Sequence, residues 1–514
     1  MTTTPDRTAQ ASEDSEQLTG LGYAQQLHRG LGPFASFASG FSFVSILTTV
    51  FQLFIIGYGF GGPAYIWTWP IVFVGQFCVC LVFAELAATY PVAGAIYQWS
   101  RRVSTDPVGW MAGWLMQVGY IVSVAAIAIA LQAVLPEVWG GFQLVGGDPS
   151  PTSPTGAVNA IVLGSICIAV CIVIASLGVT RMAIVTRVGV TLEIAGVLLV
   201  VVLLFLHAHR GPEVVFETNG TEGDGSYTWP FLASMLMAAY VMYGFDSAAE
   251  LSEETGDPRR TAPRAIVRCM LISGVGGLLL ILAALMAAPD LMSPDLTSEG
   301  IASVVTSELG DVLGRVVLGV VAISIFSAAL AIAASATRVM FSMARDGRLP
   351  FSRLLGHVSP RTHTPVWAGV AVGVLSIAVL LINLGQTSVF TTVTSISVVI
   401  VYLAYLFVTV PRLYHRLRRT PAHRPDPAYF SLGRWGLPVN VVAVVFGVFL
   451  LVNIGWPRAA VYDIDGQGWV LQYSAVLAVV VIVVLGLVAY RFTRTRTTTA
   501  PGAGGGNTDV TSRA

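Results

Sequence analysis

The chain has 514 residues, of which 55% are hydrophobic and only 11% charged, against roughly 25% charged in an average soluble domain. Apolar runs long enough to cross a bilayer recur to the end of the chain, so a water-soluble enzyme is excluded and a polytopic membrane protein is expected. The formal net charge is zero and lysine is absent, which removes amine Schiff-base chemistry and leaves no basic, aromatic-studded segment suited to nucleic acid.

The first residues, MTTTPDRTAQASEDSEQLTG, are small and polar and read as a disordered tail, taken to extend over 1–30. No apolar h-region follows the start and Gly does not follow Met1, so the first apolar run is read as a membrane helix rather than a signal or lipidation segment. With roughly 20 apolar residues per crossing, spans are predicted near 34–56, 65–89, 108–135, 158–177, 184–206 and 230–252. Six more are predicted near 265–288, 314–343, 366–384, 388–410, 437–456 and 471–490. Residues 493–514, rich in Gly and Thr, read as a second disordered tail. The expected fold class is therefore an all-α membrane protein of twelve transmembrane helices, since backbone groups in hydrocarbon must be paired within the segment and no barrel-like alternation occurs.

Twelve crossings put both ends on one side. Only Arg210, Arg315 and Arg458 fall beside loops of one face, leaving 25 of the 28 arginines on the other. The positive-inside rule makes the Arg-rich face cytoplasmic, with both termini there. The opposite loops carry acids, among them Glu213, Glu217, Glu222, Asp224, Asp290, Asp295, Asp463 and Asp465. Trp67, Trp69, Trp229, Trp367, Trp456 and Trp469 sit near helix ends, where an interfacial belt is expected. Cys78, Cys80, Cys167, Cys171 and Cys269 all lie in apolar runs and read as packing residues, not as a metal or disulfide framework.

Two helices carry an interruption near mid-membrane: Ser39-Gly40-Phe41-Ser42 in the first and Tyr243-Gly244-Phe245-Asp246 in the sixth. The two lie five helices apart, an odd offset, so the second unit enters from the opposite side as an inverted repeat. Paired broken helices point to a midplane substrate site in a secondary transporter, while Gly and Ser also serve close helix packing.

Ionisable residues within spans are functional candidates by default. Glu193, in VTLEIAGVLLVV, has Arg187 as its nearest basic neighbour in sequence, nearly two turns away. Desolvation there favours the neutral carboxyl, which can load and release a proton or offer oxygen to a sodium ion. Asp246 follows the sixth-helix interruption, where it can cap a helix start or act in coupling. Tyr240 and Tyr243 precede it and can cover an organic cation or pack in the core. Glu250, Glu253 and Glu254 run into Arg259, Arg260, Arg264 and Arg268, and read as a solvated helix end with local ion pairs, a gate being the alternative. Glu85 with Arg101 and Arg102, and Arg338 and Arg345 with Asp346 and Arg348, read the same way. His207 and His209 read as interfacial. No P-loop, His-Glu-x-x-His or nucleophile elbow in a strand context occurs, so the protein is not expected to be an enzyme.

At these residues the sequence resembles the amino acid/polyamine/organocation permease superfamily, and within it the amino acid/choline transporter family. The matching strings are FASFASGFSFVSILTTV, FAELAATYPVAGAIYQW, YGFDSAAELSEETGDPRRTAPRAI and ATRVMFSMARDGRLP. The resemblance implies a five-plus-five inverted-repeat core with broken first and sixth helices, two extra helices, and alternating access. On this chain that divides the transporter domain, 31–492, into repeats of about 31–207 and 228–411 and extra helices of about 436–490. It implies substrate binding at Ser39, Gly40, Phe41, Ser42, Tyr240, Tyr243 and Gly244, with Tyr240 at an aromatic gate and Asp246 in coupling. Because the fifth-helix position that holds lysine in several relatives here aligns with Glu193, a carboxyl must carry the proton if coupling is to protons.

The expected function is a secondary active transporter that imports an amino acid or an amino-acid-like molecule such as gamma-aminobutyrate across the plasma membrane. It is expected to be proton-coupled, with sodium as the alternative ion, to need no cofactor or metal, and to have a small-molecule substrate and the lipid bilayer as its partners. Choline or another organic amine is the alternative substrate, because the first interruption is poorer in glycine than in typical permeases. A permease-derived membrane sensor is the alternative of a different class, although the short tails offer no soluble output domain.

Overall fold

In hydrocarbon each backbone N–H and C=O must find its partner within the protein, and the apolar runs of this chain meet that demand as helices. The computed structural model describes residues 7–150, 153–221, 225–381, 389–420, 426–462 and 468–498. Among them no strand occurs, only an isolated bridge between Leu31 and Thr255. In chain order the helices are α1 (Arg7–Gly20), α2 (Pro33–Val44), α3 (Ile46–Gly61), α4 (Thr68–Thr89), α5 (Ala95–Val103), α6 (Asp106–Ile129) and α7 (Leu131–Val138). Then come α8 (Pro154–Ser176), α9 (Val179–Leu206), α10 (Thr228–Val241), α11 (Ser247–Glu250), α12 (Pro258–Ala287), α13 (Pro294–Ser298) and α14 (Ile301–Arg345). The series ends with α15 (Ser352–Leu355), α16 (Val366–Leu381), α17 (Val389–Arg418), α18 (Gly436–Gly455), α19 (Ala459–Tyr462), α20 (Trp469–Gln472) and α21 (Ser474–Thr498).

Among the described residues ten helical segments are long and apolar enough to cross a membrane, α2 with α3 counting as one. Thr228–Val241, Ile301–Gly310 and Val366–Leu381 are shorter apolar helices. Proline opens α2, α8 and α12, where its missing N–H costs no helical bond. At α8 the Ser153 hydroxyl also accepts from the Gly156 N–H at 2.9 Å. Glycine sets how closely α4 and α12 approach. The Trp69 indole N–H donates to the Gly274 carbonyl at 2.8 Å, and its ring lies 2.2 Å from where a Cβ on Gly277 would stand. Trp69 is therefore a core residue and not part of an interfacial belt, whereas Trp67, Trp229, Trp367, Trp456 and Trp469 are exposed. The acids Glu222, Asp224, Asp463 and Asp465 lie outside the described residues.

The Arg-rich end is tied together by ion pairs between distant parts of the chain. Glu254 and Arg338 form a two-point pair at 3.0 and 3.1 Å, both fully buried. Glu253 pairs with Arg345 at 2.8 and 2.9 Å and accepts from the Ala93 N–H at 3.1 Å. The Glu250 carboxylate accepts from the Ala95 N–H at 2.8 Å. Glu85, also buried, binds Arg412 at 2.6 Å and Arg416, and accepts the Leu432 N–H at 2.9 Å. Asp346 accepts from Tyr97 at 2.9 Å and from Arg101. These groups do not form the expected solvated helix end with local pairs. The arginines that follow in sequence turn elsewhere: Arg259 reaches Asp426 at 3.2 Å and lies over the Tyr429 ring. Arg260 makes an exposed contact with Asp257 at 3.8 Å and lies 5.6 Å from the centroid of the Tyr429 ring.

The amino-terminal segment joins this network, which corrects the expectation of a disordered tail through residue 30. Residues Arg7–Gly20 are helical, and the Asp14 carboxylate accepts from the Asp257 N–H at 3.0 Å. Arg29 donates to the Thr255 carbonyl at 3.0 Å, and Leu31 and Glu254 share a backbone bond of 2.9 Å. The Tyr23 hydroxyl donates to Asp346 at 2.9 Å. Burial, followed by the Asp346 charge, pushes the Tyr23 phenol above its usual pKa and keeps it a donor. The physical reason is tertiary: a polar helix is ordered by a turn more than two hundred residues away. At the other end of the chain α21 runs to Thr498, past the expected boundary at 492, and residues 499–514 lie outside the described set.

The opposite end is closed by hydrogen bonds to carbonyls, some from a charged donor: Arg210 donates to the Pro289 carbonyl at 3.1 Å, and His209 lies 3.0 Å from Glu308. Tyr58 donates to the Leu291 carbonyl at 2.6 Å, and Tyr227 to the Gly61 carbonyl at 2.6 Å. Trp67 donates to the Val215 carbonyl at 3.0 Å. Removing one member of a buried ion pair strands its partner, at a cost of about 3–5 kcal/mol. Arg338→Gln is accordingly expected to destabilise the detergent-purified protein by about that amount, while Arg260→Gln stays within about 0.5 kcal/mol. Thermal unfolding of the two variants measures this, and the reverse order would restore the local-pair reading.

Candidate functional site

The first membrane span is interrupted at Ser45, whose φ of 38° and ψ of 74° are left-handed. A non-glycine residue in this region is held there by its surroundings. The Ser45 N–H still bonds the Phe41 carbonyl at 2.8 Å and its own carbonyl accepts from the Thr49 N–H at 2.8 Å. Side chains serve the groups between: Ser45 donates to Thr48 Oγ1 at 2.8 Å, and the Thr49 hydroxyl lies 3.2 Å from the Val44 carbonyl. The interruption thus falls three residues past the predicted Ser39-Gly40-Phe41-Ser42, all of which are helical and buried within α2. Gly40 serves instead as a contact: a Cβ there would stand 3.3 Å from Ala248 and 3.5 Å from the Phe245 carbonyl. The Ser42 hydroxyl is buried without a hydrogen-bond partner, and the Ser247 hydroxyl lies 3.4 Å from the Ser39 carbonyl.

The sixth span breaks where predicted. Helix α10 ends at Val241, Gly244 has φ of 88°, and α11 starts at Ser247. The left-handed φ favours glycine, and a Cβ at Gly244 would lie 1.9 Å from the Phe43 ring. The two broken helices therefore meet, with α3 packed on α10 and α2 on α11. Asp246 is fully buried and bound by two tyrosines, Tyr120 at 2.8 Å and Tyr405. The Gly244 N–H donates to the Tyr405 hydroxyl at 3.0 Å. One hydroxyl thus joins the carboxylate to the break, making Asp246 a clamp on the loop's shape. Tyr243 shares a hydrogen bond of 2.9 Å with Ser123, and its ring meets Tyr240 edge-on at 5.2 Å between centroids. Phe43 and Tyr120 add rings 5.3 Å apart, and all of these side chains are at most 5% exposed.

Glu193 on α9 is fully buried and neither carboxyl oxygen has a hydrogen-bond partner. The polar groups that act on it are the Ser45 hydroxyl and the Leu47 N–H, at the first break. The structure brings Glu193 to the start of α3, and Asp246 lies in the loop before α11, so each of the two buried carboxyls sits at one of the breaks. Helix ends supply further charge: the first turn of α3 presents its positive end there and the last turn of α10 its negative end.

Residues 31–485 match the family model described as amino acid permease. The chain belongs to the amino acid permease family. Among curated relatives, this permease is 29% identical to amino-acid permease BAT1 of Arabidopsis thaliana over 485 residues, covering 90% of this chain and 91% of the relative. It is 25% identical to amino-acid permease 2 of Neurospora crassa over 476 residues, covering 88% and 83%. It is 24% identical to the GABA-specific permease of Saccharomyces cerevisiae over 473 residues, covering 87% and 79%. The protein is thus a multi-pass membrane transporter for small amino-acid substrates, not an enzyme.

Several residues of this permease's centre have no distinguishing signal in sequence. Ser45 is flanked by Val44 and Ile46 with no adjacent glycine, and Phe43, Tyr120, Ser123, Tyr402 and Tyr405 sit singly in apolar runs. On α17 the Tyr402 hydroxyl donates to the Ala239 carbonyl at 3.2 Å and the Tyr405 hydroxyl to Asp246. The Gly244 geometry is directly testable. Gly244→Ala is expected to lose uptake and about 1–3 kcal/mol of stability through overpacking against Phe43, as read by radiolabel uptake and thermal unfolding together. Uptake at the parental rate would show that the break tolerates a side chain and that its geometry is not functional.

Proposed function

We propose that this permease is a proton-coupled secondary active transporter that imports an amino acid or amino-acid-like molecule across the plasma membrane by alternating access. The proposal includes twelve spans, α10 with α11 and α16 completing the ten long ones, arranged as a five-plus-five inverted repeat with α18 and α21 as the extra pair. Both termini are assigned to the cytoplasm on the arginine bias. The observation that carries this reading is the meeting of two interrupted helices at Ser45 and Gly244, with an unpartnered buried carboxyl, Glu193, facing the first.

The physics favours a zwitterion as cargo. The N–H groups at the start of α3 suit a carboxylate and the carbonyls at the end of α10 suit an ammonium group. Tyr240, Tyr243 and Phe43 supply the walls, and the shift of the first break to Ser45 moves the carboxylate site from Ser39–Ser42 to Ile46–Thr48. This polarity favours an amino acid or gamma-aminobutyrate over choline, which has no carboxylate to place at α3. Glu193 is the proton carrier: neutral, it fits its apolar surroundings, and charged, it needs the Ser45 hydroxyl and Leu47 N–H, so its proton and the geometry of the break are linked. Asp246, held by two tyrosines, positions the sixth-helix loop.

Uptake by purified protein in proteoliposomes tests this reading. With an inward proton gradient the protein should concentrate an amino acid and not choline. Glu193→Gln should abolish concentrative uptake while sparing counterflow exchange, because the site remains but the proton cannot leave. Accumulation by that variant at the parental level under a pH gradient would remove Glu193 from coupling, and transport of choline alone would overturn the substrate class.

A further inference from the structure

Away from the two breaks, the Arg-rich end holds an open polar cavity of about 460 Å³, lined by Arg353, His357, Ser359, His363 and Gln26 along with the backbone of Gly356. No acidic residue lines it. Arg353, His357 and His363 take part in none of the ion pairs of this end, where every buried arginine has its acid. The wall is a folded loop. Gly356 N–H bonds the Ser352 carbonyl at 2.8 Å, His363 N–H bonds the Ser359 carbonyl at 2.9 Å, and Ser359 N–H bonds the Thr364 carbonyl at 3.0 Å. His363 is held at a left-handed φ of 52°, with its ring 6.5 Å from that of His28. Arg353, two histidines and the Ser359 hydroxyl thus converge on a cavity whose lining has no countercharge, the donor set that suits a phosphate.

The surroundings choose between a dissolved phosphate and one carried by lipid. The loop leads directly into the apolar helix α16, which starts at Val366. Phe351, at the head of α15, is 78% exposed, and Leu354 and Trp367 are about half exposed. Large apolar side chains exposed beside arginine and histidine are costly in water but suited to the depth at which headgroups meet acyl chains. Phe351 keeps this exposure at a left-handed φ of 56°, so the backbone is fixed with its ring outward.

We propose that this cavity is a binding site for the phosphate headgroup of an anionic phospholipid in the leaflet at the Arg-rich face, with Arg353, His357 and His363 on the phosphate and Phe351, Leu354 and Trp367 among the acyl chains. The site lies on the loop that links α14, which carries Arg338 and Arg345, to α16. A lipid held there braces the carboxy-terminal end of α14 on which the ion-pair network rests.

The test uses the full-length protein in nanodiscs of phosphatidylcholine with or without phosphatidylglycerol, read by native mass spectrometry and thermal unfolding. Phosphatidylglycerol should be retained and should raise the melting temperature. Arg353→Gln should weaken retention about fivefold, the effect of one arginine near an anionic membrane surface. Arg361→Gln, an exposed arginine outside the cavity wall, should leave retention unchanged. Equal loss in both variants would mean diffuse charge attraction and overturn the site. Inorganic phosphate in phosphatidylcholine discs should not stabilise the protein; stabilisation equal to that by phosphatidylglycerol would overturn the lipid assignment in favour of a soluble anion. If Arg353→Gln does not fold, photoactivatable phosphatidylglycerol on the parental protein decides the matter: crosslinks within 351–367 support the site, and crosslinks only elsewhere overturn it.

Discussion

A polypeptide inside a bilayer has nowhere to put an unpaired backbone group except against another part of itself. Everything distinctive in this permease follows from breaking that rule twice and repairing it with side chains. At Ser45 the repair comes from the Thr49 hydroxyl, which donates to the Val44 and Ser45 carbonyls; at Gly244 it comes from Tyr405, whose hydroxyl accepts from the glycine N–H and donates to Asp246. Polar atoms accumulate at the two breaks because the backbone there requires them, and a polar centre enclosed by Phe43, Tyr120, Tyr240 and Tyr243 is what a small zwitterion needs. On the proposed function, structure and cargo recognition would draw on the same interrupted backbone.

The two ends of the molecule are held shut by different chemistry, and the difference suits alternating access. The Arg-rich end uses buried or nearly buried ion pairs, two-point in Glu254–Arg338 and Glu253–Arg345 and shared in Glu85, which holds both Arg412 and Arg416. Such pairs gain little over an apolar contact when made but are expensive to leave half-made. A network of this kind favours all-or-none opening over partial states. The other end relies on hydrogen bonds to carbonyls, from Tyr58, Trp67 and Tyr227 and from the Arg210 guanidinium, the neutral ones each a modest net contribution of about 1 kcal/mol. The amino-terminal segment, with Asp14, Tyr23 and Arg29 bound to the 254–257 turn and to Asp346, is part of the closure at the Arg-rich end.

The helices were legible because hydrocarbon imposes a length and a composition that few soluble segments share, and the sixth-helix break was legible because Gly244 stands beside a carboxylate in an otherwise apolar run. The first break was misplaced by three residues for a physical reason. Ser39-Gly40-Phe41-Ser42 has the composition of a break, yet its glycine is spent on the close approach of α2 to Ala248 and Phe245, while the real interruption sits at a serine between two β-branched residues. The ion pairs were misassigned because sequence offers neighbours, and Glu254 had Arg259 and Arg260 close at hand; its partner Arg338 lies 84 positions away. Tyr120 and Tyr405 could not be told from packing residues, since a lone tyrosine in an apolar helix shows no direction until its helix is oriented.

The claim that the two breaks form the cargo site is tested most directly by hydrogen exchange of the purified protein with and without the amino acid it transports. Binding at the breaks should slow amide exchange in residues 43–48 and 241–247 together, with the α12 and α17 interiors unchanged. Protection that appears elsewhere while both segments exchange as before would contradict it.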